Sequence, residues 1–516
     1  MYPGHWGAVT PDKAAVIMAE SGETVTYKEL DDHSNQCAQL LWDAGLRFGD
    51  HVAVLMDNNP QYLEICWAAQ RMGLFYTCVN WHFTGEEAAY IIEDCDAQVL
   101  FVSAGTRAVA AELVELCPRL KLRLIVGSDL EGYENYETAI AAKPAEPVPD
   151  ECEGTPMLYS SGTTGRPKGI KYSIRREPMG QMPGNLALMT NVFGFDQDSI
   201  YLSPAPLYHS APLFYCMSTL RLGGTVVVME HFDALEALRF IEQYGITCSQ
   251  WVPTHFVRMF KLSDDERTRY DLSTLKSAVH AAAPCPVEVK QRMIEWLGPI
   301  VWEYYSATEG AGATIIGPED WLAHPGSVGR SAVGVIHILD DDNNELPSGE
   351  VGTVWFEPAS SRPAFAYHKD DAKTAEAINA KGWSTVGDMG YLDEEGYLYL
   401  TDRRTFMIVS GGVNIYPQEA ENLLVTHPRV FDAAVFGIPD PDMGERVHAV
   451  VQPITWDEAG PELAAELMAF CRANLAHYKC PKAFDFDPEL PRQATGKLYK
   501  RLIRDRYWGK SNSRIV

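Results

Sequence analysis

The stretch YSSGTTGRPKG, Tyr159 to Gly169, gathers hydroxyls, glycines and one lysine into a single short run. Ser160, Ser161, Thr163 and Thr164 supply hydroxyl donors, while Gly162 and Gly165 let the backbone bend until its N–H groups can face an anion. Lys168 adds a positive charge, and Pro167 stiffens its approach. These parts suit a polyphosphate. A Walker A loop would need Gly-Lys-Ser/Thr in succession, but Lys168 stands between Pro167 and Gly169, so no hydroxyl beside the lysine is placed to ligate magnesium. The competing reading of the stretch alone is a Ser/Thr/Gly-rich surface turn.

Such a loop needs a scaffold, and the residues on either side describe one. HVAVLM (His51 to Met56), AQVLFVSA (Ala97 to Ala104), LRLIVGS (Leu122 to Ser128) and GTVVVM (Gly224 to Met229) read as buried strands. Helical patterns lie between them, as in ALEALRFIEQYG, where Leu235, Leu238 and Ile241 recur on one face. This alternation predicts an α/β fold of layered, mostly parallel sheets with helices. The proline-rich connector AAKPAEPVPDECEGT delivers the chain to the loop. Near Asp402 the texture changes, with two strand-like runs around a charged knot. A further strand, AAVFGI, and an amphipathic helix, PELAAELMAFCRANLAHY, follow. The stripe Leu463, Leu467, Phe470, Cys471 and Leu475 in that helix reads as core. The expected organisation is a large N-terminal domain over 1–402, a hinge at 403–406 and a small mobile α+β domain over 407–516, whose last residues, KSNSRIV, read as a frayed tail.

At 516 residues the chain exceeds the usual span of one hydrophobic core, which agrees with two domains. A net charge of −27 opposes non-specific binding to nucleic acid or to an anionic membrane, so any anionic ligand must be captured by local donors. The 11 cysteines form no Cys-x-x-Cys pair and no metal-like Cys/His spacing, and they read as buried reduced thiols. Without a signal peptide or an apolar run of about 18 residues, the expected location is the cytoplasm.

Further motifs follow the loop in order: PLYHSAP (Pro206 to Pro212), YYSATEG (Tyr304 to Gly310), GDMGYLDEEGYLYLTDR (Gly387 to Arg403), SGGVNIYPQEAE (Ser410 to Glu421) and LPRQATGKLYKR (Leu490 to Arg501). Together with the loop, and over nearly the whole chain, they resemble the adenylate-forming superfamily. That superfamily comprises acyl-CoA synthetases, adenylation domains of peptide synthetases and firefly-type luciferases.

The resemblance implies a division of labour. The loop from Ser160 to Lys168 would grip the phosphates that leave as pyrophosphate. Thr308 would touch the α-phosphate, and Glu309 would help hold Mg²⁺, a hard ion suited to carboxylate and phosphate oxygens. Tyr305 would stack on adenine. Asp388 would accept hydrogen bonds from the ribose, and Arg403 would add a second nucleotide contact. Lys497 would be carried into the cleft to neutralise the substrate carboxylate and the α-phosphate. The small domain would then rotate, so that Gly411 and Gly412 let the pantetheine arm of CoA pass, with His209 orienting the carbonyl. One position departs from the family pattern: Thr405 stands where relatives commonly place Asp or Lys at the swivel.

The implied acyl pocket draws on Tyr208, His209, Leu213, Phe214, Met217, Trp251, Phe256 and the small residues Ala281, Ala282 and Ala283. This set is apolar and lacks an evident acid for a substrate amine, so a fatty, aromatic or steroid side-chain acid is favoured over an amino acid. In the segment after the loop, Arg175 and Arg176 read as a solvated charged face or as a guide for anions, and Met179, Met182 and Met189 as core or tunnel wall. The expected activity is ATP-dependent acyl-CoA ligation through an acyl-adenylate, with ATP, Mg²⁺ and CoA as cofactor and co-substrates. The expected partners are a small carboxylic acid, ATP and CoA, with no nucleic acid and no membrane span, and a homodimer is compatible. Transfer to a carrier-protein thiol, a non-catalytic nucleotide-binding protein and luciferase-like oxygenation are the alternatives.

Overall fold

The computed structural model describes residues 1–160, 167–181, 186–358, 365–403, 406–492 and 498–508, with backbone alone at Arg403. Short β-branched runs bounded by capped helices build two parallel sheets. One has six strands, all parallel, in the order Glu134–Asn135, Leu122–Val126, Ala97–Ser103, His51–Leu55, Phe75–Cys78 and Thr155–Pro156. Every residue of His51–Leu55 is buried, as expected of a strand covered on both faces. The larger sheet has nine strands. Its parallel centre runs Val301–Ser306, Ser277–His280, Cys248–Trp251, Ile200–Ser203, Thr225–Val228 and Ala14–Met18, with antiparallel strands at both edges.

The helices start and stop where their sequences direct. Thr26 with Glu29, and Thr84 with Glu87, form reciprocal capping boxes at two N-termini. Asp233 accepts the N–H groups of Leu235 and Glu236 at the start of Ala234–Tyr244, and Gly245, at φ +62°, ends that helix. Two antiparallel sheets complete the large domain. One joins Ala366–Tyr367, Gly169–Lys171 and Leu158–Tyr159, and the other joins Val335–Leu339, Gly352–Glu357, Asp388–Leu392 and Leu398–Arg403.

The next strand, Ile408–Ser410, belongs to a separate five-stranded sheet built around the hairpin of Val430–Asp440 and Gly444–Pro453. The helices Pro417–Leu424 and Pro461–Asn474 pack on it, burying Leu424, Leu463, Leu467 and Cys471 beside Val435 and Ala449. The stripe expected as core is therefore core, with Phe470 half-buried at its edge against His427. The architecture is mixed α/β: parallel sheets in a large N-terminal domain and a small C-terminal α+β domain. All 11 cysteines are free, and all but Cys285 are buried. Among the described residues no helix is long and apolar enough to cross a membrane. The tail from 510 onward lies outside the described residues.

Candidate active site

Parallel strands discharge their loops at one edge, and that is where the sequence motifs meet. A cleft of about 1960 Å³ is lined by Ser306–Gly310 after one central strand, Ala281–Ala283 after the next, Val252–Thr254 after a third and Tyr208–Ala211 beyond a fourth. Ser160 and Lys168 close the phosphate loop at its base. The Ser160 N–H donates to the Lys168 carbonyl at 2.8 Å, and the Lys168 N–H donates to the Ser160 hydroxyl at 3.2 Å. Residues 161–166, which hold Ser161, Gly162, Thr163, Thr164 and Gly165, lie outside the described residues.

The nucleotide side has a built geometry. The Tyr305 hydroxyl donates to Asp388 Oδ2 at 2.6 Å, so the residue assigned to adenine also orients the carboxylate assigned to ribose. Asp388 is 9 % exposed at the start of its strand and pairs in register with Arg403. Glu309 is equally buried, and its Oε1 accepts from the Tyr367 hydroxyl at 2.9 Å. The Tyr172 hydroxyl donates to the Thr308 carbonyl, and burial followed by the nearby Glu309 charge pushes its ionisation upward. Lys168 pairs with Asp370 at 3.0 Å and lies 5.6 Å from the Tyr367 ring. Tyr367, Tyr172 and Asp370 thus tie Lys168 and its neighbours to Thr308-Glu309. Sequence reasoning missed all three because none lies in a recognised motif.

Among the described residues no group of three or more His, Cys, Asp or Glu could hold a metal. Glu309 fits a magnesium ion only as one carboxylate beside phosphate oxygens supplied by a nucleotide, which is how this ion is usually held.

On the acyl side, Tyr208, His209, Leu213, Phe214, Met217 and Ala281–Ala283 all face the cleft. His209 caps the helix Ser210–Leu222, its ring 4.1 Å from that of Tyr208. Ala282 adopts φ +77°, a left-handed conformation uncommon for a residue with a Cβ and found preferentially at functional sites. Trp251 is a correction. Side chains alternate along a strand, so Gln250 and Val252 face the cleft while Trp251 turns into the core, its ring N–H donating to Ser249 Oγ at 2.7 Å. Phe256 is likewise core. Sequence reasoning found no acid in this half, yet Glu303 lines it. Its charge is spoken for: Glu303 bonds the buried Lys290 and lies 3.5 Å from His280, and burial raises its carboxyl pKa.

The small domain covers part of the opening. Phe406, Gln418, Phe431, Arg492 and Leu498 line the same cleft. Arg492 and Leu498 bridge each other on either side of 493–497, so Lys497, itself outside the described residues, belongs to a segment whose ends are at the cleft. Thr405 is also outside them. Gly411 and Gly412, at φ +57° and +80°, form the turn between Ile408–Ser410 and Val413–Ile415 and do not line the cleft. Arg176 pairs with Asp150 on the surface at 3.1 Å, whereas Met189 is buried and reaches the cleft.

A polar half and an apolar half of one cleft, in a parallel-sheet domain under a small second domain, are the features of adenylate-forming enzymes. The chain belongs to the AMP-binding enzyme family. Residues 4–360 match its main model, residues 419–497 match the AMP-binding enzyme C-terminal domain, and the activity is that of an AMP-forming acid–thiol ligase. It is 31% identical to the fatty acid–[acyl-carrier-protein] ligase ScoC of Streptomyces coeruleorubidus over 98% of this chain and 95% of that one. It is 30% identical to the 2-succinylbenzoate–CoA ligase of Bacillus pumilus over 97% of each. Its fold superposes on ATP-bound MatB from Rhodopseudomonas palustris with a TM-score of 0.81 and 26% identity, covering 98% of this chain and 99% of that one.

Proposed function

We propose that this enzyme activates a hydrophobic carboxylic acid, a fatty acid or an aromatic or steroid side-chain acid, and passes it to CoA. A carboxylate oxygen attacks the α-phosphorus of ATP, forming acyl-AMP and releasing pyrophosphate. The CoA thiol then attacks the carbonyl, AMP leaves, and the thiol proton passes to solvent. The first step brings two anions together and builds charge on the α-phosphate, which fixed donors must offset. In this reading Lys168 and the phosphate loop hold the departing phosphates, and Glu309, fixed by Tyr367, would help hold a magnesium ion that offsets phosphate charge. Tyr305 and Asp388 seat the nucleoside, Arg403 adds a contact, and Lys497 bridges carboxylate and phosphate. His209 orients the carbonyl, and Gly411 and Gly412 admit pantetheine after rotation of the small domain.

The observation that carries the proposal is the continuity of the cleft. Its polar half, with Lys168, Glu309 and the Tyr305–Asp388 pair, runs directly into a half lined by Leu213, Phe214 and Met217. Among the described residues the acids there are already matched, Glu303 by Lys290 and Glu153 by Arg221, which disfavours an amino-acid substrate. The test is pyrophosphate–ATP exchange across a panel of fatty, aryl and steroid acids, followed by CoA-dependent AMP release. Exchange with hydrophobic acids that EDTA abolishes is the expected result, and no exchange with any acid would refute it. ScoC acts on a carrier protein, which favours a second reading in which the acceptor is a carrier-protein thiol. AMP release with CoA alone separates the two.

A further inference from the structure

The apolar half of the cleft has a direction. Ser210, Phe214, Met217, Ser218 and Arg221 face it with helical spacing, so one side of the helix Ser210–Leu222 follows the cavity for about 16 Å. This helix starts at the edge where Ser160, Lys168 and Thr308 gather. It ends at Gly223, just before the strand Thr225–Val228 begins at the opposite edge of the sheet. Two other segments run between the same limits. One leads from Gln70 through Phe75–Cys78 to Asn80, and the other from Glu153 through Thr155–Pro156 to Ser160, with Phe75 and Thr155 paired in parallel. Arg221, Gln70 and Glu153 therefore share the far end.

There they interlock. Arg221 Nη1 and Nη2 donate to the two oxygens of Glu153, each at 2.9 Å, and Nη1 also donates to the Gln181 carbonyl. Gln70 Nε2 donates to Glu153 Oε2 at 2.6 Å and to the Gly154 carbonyl at 2.8 Å. The Tyr76 hydroxyl donates to Gln70 Oε1, and the Gly180 N–H donates to Glu153 Oε1. Arg221 is 5 % exposed and Gln70 7 %. Both oxygens of Glu153 and the amide of Gln70 are thus engaged within the protein, leaving nothing to offer a polar group on a ligand. An apolar tail cannot part the pair, because that would strand a buried charge.

We propose that the Arg221–Glu153 pair, keyed by Gln70, is the floor of the acyl tunnel and sets the length of acid accepted. This rests on the apolar half being the acyl site. With bonds of ~1.5 Å in zigzag, a run of about 16 Å holds an unbranched saturated acid of about a dozen carbons. Each added methylene raises affinity about fourfold until the tail meets the floor, after which affinity falls.

The test measures two properties of the full-length chain with straight saturated acids from hexanoate to octadecanoate: thermal stabilisation by each acid, and pyrophosphate–ATP exchange. The double variant Arg221→Ala/Glu153→Ala removes both charges together and deepens the tunnel, moving the break in the profile about three carbons longer. Ser218→Phe raises the floor by about one helical turn, moving the break about four carbons shorter. Shifts in opposite directions support the floor, and a break at the same length in all three proteins overturns it. If the double variant does not fold, Ser218→Phe alone decides. Thermal stabilisation reads tail length without turnover, so absent exchange with every acid would defeat the ligase reading, whereas an unmoved break would defeat the floor.

Discussion

The two covers of the polar half of the cleft differ in how they are fastened. The large-domain wall is knit by side chains that hold one another: Tyr305 to Asp388, Tyr367 to Glu309 and Lys168 to Asp370. Among the described residues, the small-domain side is joined to it by contacts that address backbone. Lys261 Nζ donates to the carbonyls of Val430 and Phe431 at 2.8 and 2.7 Å, with its ammonium 4.6 Å from the Phe431 ring. The Gln418 N–H, at the start of its helix, donates to Asp402 Oδ2 at 3.1 Å. A wall of interlocked side chains is preorganised for one ligand geometry. A cover fastened, among the described residues, by polar contacts to backbone can release more readily than a wall of interlocked side chains, which suits a two-step reaction whose second step needs different access.

The largest effect expected from breaking this contrast is at Lys497. Lys497→Ala should slow acyl-AMP formation by about a hundredfold or more, the scale of losing a group aimed at developing charge. Thioester formation from supplied acyl-AMP should change only a few-fold. Single-turnover measurement of each half-reaction decides, and equal losses would remove the assigned role.

Next is the wall. Asp388→Ala should weaken ATP binding by about tenfold or more, as for a lost hydrogen bond to a charged group. Tyr305→Phe, which removes only the Tyr305 hydroxyl bond to that carboxylate, should cost less. Calorimetric titration of ATP into both variants sharpens the comparison, and unchanged affinity in Asp388→Ala would take it out of the ribose site.

The smallest effect is at the fastening of the cover. Lys261→Met should slow the first half-reaction by about five- to tenfold while sparing the second. Burial pulls the Lys261 ammonium down from 10.5 to about 8, so its proton favours the undocked, more hydrated state. Docking through this contact should strengthen as pH rises from about 8 toward 10.5, and Lys261→Met should lose that dependence. A variant retaining the wild-type pH profile would show that the contact does not govern closure.

Much of this layout was legible in the chain because it is encoded locally. Strand runs such as HVAVL, capping pairs such as Thr26 and Glu29, and the core stripe of Leu463, Leu467 and Cys471 follow from short-range periodicity and hydrogen bonding. The motifs YSSGTTGRPKG and YYSATEG could be recognised for the same reason, since each is a contiguous run whose residue types and spacing are read directly along the backbone. Periodicity also held the clue to Trp251: with Gln250 and Val252 in the cleft, the residue between them had to face away.

The amino-acid sequence by itself determined the class of fold, the family and the chemistry that its motifs could perform. Only the tertiary structure decided which groups neutralise one another. Tyr367 and Glu309 meet across 58 positions, Tyr305 and Asp388 across 83, and Arg221 and Glu153 across 68. Glu303 is cancelled by Lys290 from the preceding helix. Charge pairing and burial depend on distance in space, and spacing along the chain carries no measure of it once the backbone has turned back through several strands.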